Sequence, residues 1–202
     1  MKLRGLYAIT PDCPDSATLV ASAEAALRGG VALLQYRNKA APAKRAATEA
    51  ARLQALARRY RTPLIVNDDV GLAREIDADG VHLGRDDGDV AAARSRLPGK
   101  LLGVSCYDSL ERAQAAVAAG ADYVAFGSVF ASGTKPAAVR APRSLFGTAR
   151  RLGVPLCAIG GITVDNAPAL IEAGADLVAV ISDLFEAPDI AARARAYAKI
   201  FS

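Results

Sequence analysis

Short, continuously apolar runs alternate along the chain with longer stretches of helical periodicity. Four of the runs, "LYAI" from Leu6, "PLIVN" from Pro63, "LLGVS" from Leu101 and "VPLCAI" from Val154, are too short for helices and rich in branched aliphatic residues, which predicts strands. Four more lie inside segments that resemble one another: "RGGVALLQY" from Arg28, "DADGVHLG" from Asp77, "AGADYVAFG" from Ala119 and "AGADLVAVI" from Ala173. In each, a glycine or small residue suits the left-handed position that closes a helix, and a strand follows. Between strands, Leu19, Val20, Ala23, Ala26 and Leu27 share one helical face, as do Ala46, Ala50, Leu53, Ala57 and Tyr60. Strands apolar on both faces that alternate with helices predict a parallel sheet with helices outside. Eight such units in 202 residues predict an α/β fold in which residues 1–202 form a single (β/α)8 TIM barrel domain. A doubly wound open sheet is the alternative, and the repeated strand pairs favour closure.

Composition narrows the partners. An apolar fraction of 52% suffices for one sizeable core. The formal charge of +4 suits an anionic ligand, and much of it lies on one predicted helix as Arg52, Arg58, Arg59 and Arg61 without interleaved aromatics. That reads as a solvated face and not as a nucleic-acid surface. The opening "MKLRGLYAITPD" has too short an apolar run, broken by Pro11, for a signal peptide or a membrane span, so a soluble cytoplasmic protein is expected. Cys13, Cys106 and Cys157 are odd in number and widely spaced, which predicts reduced thiols with Cys157 in the core. Nothing in the pattern excludes a homo-oligomer.

In a barrel of this kind the site is built at the C-terminal ends of the strands, and the polar residues sort by that rule. Strand 2 ends in "QYRNK", where alternation puts Gln35 and Arg37 on one face, with Lys39 following if the chain stays extended. Two cations and an amide then meet at the barrel mouth; the alternative is an arginine paired with a loop carboxylate. Strand 3 ends in Asn67, Asp68 and Asp69, and strand 4 is followed by "GRDDGD". Carboxylates from adjacent strand ends can share Mg²⁺, and each group also stands where a helix N-cap is needed. His82, the single histidine, reads as a packed core residue. The loop after strand 6 offers Ser132, Gly133, Thr134 and Lys135, a composition suited to an anion. After strand 7, Gly160 and Gly161 leave room for backbone amides to reach a phosphate, a helix is predicted near Thr163, and Ser182 after strand 8 can complete the site. No nucleophile with its base is evident, so the chemistry expected is positioning and electrostatic stabilisation.

Assembled, these residues resemble the thiamine phosphate synthase family. "LYAIT", "QYRNK", "NDD", "DGVHLGRDD", "GVS", "DYVAFGSVF", "TKP", "AIGGIT" and "VIS" occur in the family's order over nearly the whole chain. The resemblance implies an enzyme, a transferase that joins hydroxymethylpyrimidine diphosphate to a thiazole phosphate with Mg²⁺ and releases pyrophosphate. It implies that Gln35, Tyr36, Arg37, Lys39, Asn67 and Ser105 bind the pyrimidine diphosphate and that Asp68 and Asp87 hold the metal. It further implies that Lys135 faces the diphosphate, while Ser132, Thr134, Gly161, Ile181 and Ser182 hold the thiazole phosphate. Arg37, Lys39, Lys135 and Ser105 then carry the catalytic roles, with Asp69 and Asp86 as caps or supporting groups. The loop "ASGTK" has Ser132 where the family usually has a threonine, and "GVSCYDSLE" is one residue longer than the common form.

Two other readings compete. Thiazole tautomerases share the barrel but tend to lose the pyrimidine and metal residues and to use a histidine after strand 5, where this chain has Tyr107 and Asp108. A non-catalytic phosphate-binding barrel is the other, since a fold alone fixes no activity.

Overall fold

The apolar runs form β1 (Gly5–Ile9), β2 (Leu33–Tyr36), β3 (Leu64–Asn67), β4 (Gly80–Leu83), β5 (Leu101–Tyr107), β6 (Tyr123–Gly127), β7 (Leu156–Ile159) and β8 (Leu177–Val180). The computed structural model describes residues 3–131 and 140–201. Within them the strands pair in parallel, each with its neighbour in sequence, and β8 closes on β1. The helices between them are α1 (Ser16–Arg28), α2 (Ala43–Tyr60), α3 (Val70–Glu75), α4 (Val90–Arg96), α5 (Leu110–Ala118), α6 (Ser144–Ala149) and α7 (Ala167–Ala173), with α8 (Ser182–Phe185) and α9 (Ile190–Ile200) after β8. The expected (β/α)8 barrel is the observed fold.

Alternation along the strands divides the core in two. Tyr7, Ile9, Leu33, Ile65, Tyr123, Ala125, Cys157, Leu177 and Ala179 fill the barrel interior. Leu6, Ala8, Leu34, Val124, Phe126, Ala158 and Val178 face outward onto Leu19, Ala23, Ala50, Leu53, Phe146 and other helix residues. That explains the continuously apolar runs, because each strand is buried on both sides.

The repeated motif has a second use. In three of the four similar segments an aspartate directly precedes the strand, and its Oδ2 accepts the backbone N–H of the first or second residue of the strand before it: Asp79 from Leu64 at 2.9 Å, Asp122 from Leu102 at 2.7 Å and Asp176 from Leu156 at 3.0 Å. These carboxylates satisfy amides at the barrel end opposite the site and fix the start of β3, β5 and β7. At the matching place before β2 stands Ala32, whose N–H donates to the Leu6 carbonyl at 2.8 Å.

On α2, Arg52, Arg58 and Arg59 are exposed and Arg58 pairs with Asp77 at 2.7 Å, as a solvated face requires. Arg61 lies beyond the helix, in the left-handed cap position with φ +54°. No helix among the described residues is long and apolar enough to cross a membrane. Cys106 and Cys157 are buried free thiols, and Cys13 is a half-buried one.

If the aspartates act as acceptors for strand amides, Asp176→Ala should cost about 1–3 kcal/mol of stability by urea unfolding. Asp176→Asn, which keeps a side-chain oxygen, should cost clearly less. Equal losses would assign the effect to the charge.

Candidate functional site

A cavity of about 970 Å³ opens at the C-terminal ends of the strands, lined from β2 and β3 by Gln35, Arg37, Lys39, Asn67 and Asp68. Past Tyr36 the chain has left the ladder, yet its alternation persists because both faces are held. Thr10, fully buried after β1, accepts the Arg37 N–H and donates to the Arg37 carbonyl, both at 2.8 Å. On the other side Glu49 of α2, itself fully buried, accepts from Tyr36 Oη at 2.8 Å, Asn38 Nδ2 at 3.0 Å and Ser16 Oγ at 2.6 Å. Asn38 also clasps the Cys13 backbone through both ends of its amide. Residues 36 and 38 are thereby pinned to the helix layer, and 35, 37 and 39 are left on the cavity.

Tyr36 therefore departs from the expected substrate-binding set. Its side chain points outward, and burial followed by the Glu49 carboxylate pushes its phenol above the usual range. Arg37 reaches the cavity and is also paired with Asp12 of the β1–α1 loop at 3.0 Å, the loop-carboxylate alternative. Partial burial works against ionisation of Asp12, but the Arg37 hydrogen bond and charge outweigh it and hold the carboxyl below its ordinary range. Asp12 Oδ1 accepts the Lys39 N–H at 2.6 Å, so one carboxylate steadies both cationic residues.

The acidic groups separate into helix caps and carboxylates that cap no helix. Asp69 caps α3 by accepting the Leu72 N–H at 2.8 Å. Asp89, and not Asp86, caps α4 through the Ala92 N–H at 2.7 Å; Asp86 lies exposed on the cavity rim because its own position precedes the helix by four residues. Asp68 adopts φ +65°, an uncommon conformation for a non-glycine residue, and its carboxylate meets Lys39 Nζ at 2.9 Å. Asp87 folds back to accept the Gly84 N–H at 3.0 Å. Burial first, then the adjacent Asp68 carboxylate, raises the Asp87 carboxyl, which marks a place short of positive charge. Among the described residues no group of three or more His, Cys, Asp or Glu gathers to hold a metal. Two carboxylates fit Mg²⁺ if water and substrate oxygens supply the other ligands, its usual arrangement.

On the far wall Gly160 and Gly161 have φ +104° and +64°. A methyl on Gly161 would collide with the Ala131 carbonyl and with Phe130 Cβ, so the loop after β6 already occupies the space a side chain would take. Glycine is needed there for backbone conformation and for close packing against that loop. Ile181 and Ser182 also line this wall. The helix expected near Thr163 starts at Ala167; Thr163 instead closes a turn by exchanging hydrogen bonds with Asn166. Ser132, Gly133, Thr134 and Lys135 lie outside the described residues.

Across the cavity floor runs a line of polar side chains absent from the expected set except at its ends. Gln35 Nε2 donates to Tyr7 Oη at 2.6 Å, Tyr7 and Tyr123 hydroxyls are 2.8 Å apart, Tyr123 Oη meets His82 Nδ1 at 3.1 Å, and His82 Nε2 meets Ser105 Oγ at 2.9 Å. His82 is buried and hydrogen-bonded as expected, and it also borders the cavity. Burial lowers its pKa to about 4 against a weaker opposing pull from Asp68, so the ring is neutral at pH 7. Arg112 of α5 holds the ends of β4 and β5 together, donating to the Ser105 carbonyl at 2.9 Å and the Gly84 carbonyl at 3.3 Å. Arg85 stacks over the Tyr107 ring at 4.5 Å on the rim.

Comparison with known proteins bears on what this cavity does. A family model described as thiamine monophosphate synthase matches residues 6–184. The chain is 61% identical over 202 residues to a thiamine-phosphate synthase of Aromatoleum aromaticum, covering 99% of this chain and 97% of that one. It is likewise 61% identical to a thiamine-phosphate synthase of an Azoarcus species, over 100% of this chain and 98% of the other. Among solved structures, thiamine phosphate pyrophosphorylase from Pyrococcus furiosus superposes with a TM-score of 0.89 at 34% identity, covering 99% of this chain and 96% of that one.

The depressed pKa of His82 has a consequence for stability. Below the ordinary histidine pKa of 6.5 the unfolded chain takes up a proton that the folded protein refuses until about pH 4. Stability present above pH 6.5 is thus lost as pH falls, by about 2 kcal/mol between pH 7 and 4.5. Urea unfolding of the metal-free protein should show this loss, and His82→Gln should show about 2 kcal/mol less pH dependence over the same interval.

Proposed function

The chain belongs to the thiamine monophosphate synthase family, a family of transferases, and from that premise we propose that it joins hydroxymethylpyrimidine diphosphate to hydroxyethylthiazole phosphate, giving thiamine phosphate and pyrophosphate. The observation that carries the substrate assignment is the asymmetry of the cavity. One wall gathers Arg37, Lys39, Asp68 and Asp87, a set matched to a diphosphate with its cation, and the opposite wall offers Gly160, Gly161, Ile181 and Ser182 to a smaller anion.

Arg37 and Lys39 receive the diphosphate, and Asn67, Gln35 and Ser105 hold the pyrimidine between the strand ends. Asp68 and Asp87 hold Mg²⁺, which when bound neutralises charge on the leaving diphosphate. The aminopyrimidine shares positive charge that develops at its exocyclic methylene. The C–O bond to the diphosphate therefore breaks ahead of attack, its electron pair leaving with the oxygen, and the thiazole nitrogen lone pair then forms the new C–N bond. No enzymic nucleophile is needed. The chain's own contribution is to orient two substrates and to meet departing negative charge with fixed cations. Lys135 joins Arg37 and Lys39 in that role by resemblance, and Ser132, Gly133 and Thr134 join Gly161 and Ser182 at the thiazole phosphate.

Pyrophosphate release from the paired substrates tests the reaction, and neither a tautomerase nor a non-catalytic barrel would produce it. For the metal, chelator should abolish turnover and Mg²⁺ restore it. Asp68→Ala and Asp87→Ala should each demand more Mg²⁺ and lose turnover by roughly 10²-fold or more, with Asp86→Ala losing less and all three folded by circular dichroism. Normal Mg²⁺ dependence in both Asp68→Ala and Asp87→Ala would refute the metal assignment.

A further inference from the structure

The hydrogen bonds across the cavity floor have a direction, and that direction decides what Ser105 offers a ligand. Gln35 turns its amide nitrogen toward Tyr7, and an amide nitrogen only donates. Tyr7 accepts there and has one proton left, for Tyr123. Tyr123 accepts it and gives its own proton to His82 Nδ1. With Nδ1 accepting, the neutral ring carries its hydrogen on Nε2, which donates to Ser105 Oγ. The Ser105 hydrogen remains unassigned by the chain, and Ser105 lines the cavity. Each hydroxyl and the ring has one proton and a partner on either side, so every contact is satisfied within the line when it runs one way throughout. Reversal would need a reversed Gln35 amide, or Tyr7 accepting from both neighbours and turning its own proton into the cavity.

We propose that the one-way line from Gln35 through Tyr7, Tyr123 and His82 fixes Ser105 as a hydrogen-bond donor into the cavity, and so selects a pyrimidine with an unprotonated ring nitrogen at that point. The inference rests on the pyrimidine diphosphate assigned above. Tyr7, Tyr123 and His82 are positioning residues; Gln35 and Ser105 meet the ligand. The line is built into the barrel: Tyr7 and Tyr123 are fully buried, their rings meet edge to face at 5.9 Å, and the line draws on five different strands. Gly103 of β5 leaves the space it needs, since a methyl there would strike the Tyr123 hydroxyl and His82 Nδ1. A member that turned away would leave a buried partner unpaired, which holds the orientation in place.

The chain contains one histidine, so nitrogen-15 labelling of histidine in the full-length protein gives one pair of ring signals. Nε2 protonated and Nδ1 unprotonated is the expected result; the Nδ1–H tautomer would mean that Ser105 donates to His82 and would overturn the proposal. Kinetics supply the second arm, with the pyrimidine diphosphate and with analogues in which either ring nitrogen is replaced by C–H. Wild type should lose on the order of 10-fold or more in kcat/KM on one of the two analogues. Tyr123→Phe should raise KM for the pyrimidine diphosphate, leave KM for the thiazole phosphate unchanged and shrink that discrimination. Tyr7→Phe, which cuts the line without touching His82, should move it in the same direction. Undiminished discrimination in both variants would overturn the proposal. If wild type releases no pyrophosphate from the paired substrates, the pyrimidine assignment falls, while the tautomer still decides the direction of the line.

Discussion

The buried carboxylate of Glu49 governs which way the end of β2 faces, and the site is assembled around that choice. A strand shows its side chains alternately to two faces, so a slip of one residue would turn Gln35, Arg37 and Lys39 toward the helices and bring Tyr36 and Asn38 to the cavity. Pairing with β1 and β3 sets the register as far as Tyr36. Beyond it Glu49 binds Tyr36 and Asn38 on the helix side, while Thr10 carries the β1 contact on to Arg37. A buried carboxylate is tolerable only with its oxygens hydrogen-bonded, and Glu49 has donors from Ser16, Tyr36 and Asn38. Any register that separated Tyr36 and Asn38 from it would leave Glu49 with only Ser16 and the Arg45 guanidinium, 3.5 Å away one turn earlier on α2.

The same economy of side chains recurs at both ends of the barrel. At the closed end Asp79, Asp122 and Asp176 fasten strand amides, and at the open end Asp69 and Asp89 cap helices. Removing these from the acidic inventory leaves Asp68 and Asp87 as the adjoining carboxylates, with Lys39 beside Asp68 and the left-handed backbone of Asp68 aiming its side chain. Neither of them caps a helix or fastens the start of a strand, although Asp87 accepts the Gly84 N–H just after β4.

Much of this was legible in the sequence because it is local. Branched aliphatic runs, small residues before strands and the "AGAD" repeats specify the barrel, and alternation alone separates Gln35 and Arg37 from Tyr36. The resemblance treats "QYRNK" as one binding unit and so includes Tyr36, which the strand turns outward. What stayed hidden depends on partners far apart in the chain. Tyr7 and Tyr123 lie in apolar runs and read as core filler until the barrel brings their hydroxyls together across 116 positions. Glu49 did carry a signal: it falls within the apolar stripe of α2, three residues after Ala46 and four before Leu53, where an unpaired charge would not be tolerated. The "GRDDGD" group left open which aspartate caps α4, and the start of α7 lies beyond Thr163, because Asp and Thr are frequent at several neighbouring positions before a helix.

The alternation at the end of β2 is tested most directly by calorimetric binding of the pyrimidine diphosphate to Arg37→Ala and Tyr36→Phe, with unfolding measured on both. The account predicts that Arg37→Ala loses about 10-fold or more in affinity with stability near wild type, whereas Tyr36→Phe binds within about threefold of wild type and loses stability, since only its bond to Glu49 is gone. Equal weakening of binding in the two variants would contradict it, because the Tyr36 hydroxyl would then have to meet the substrate.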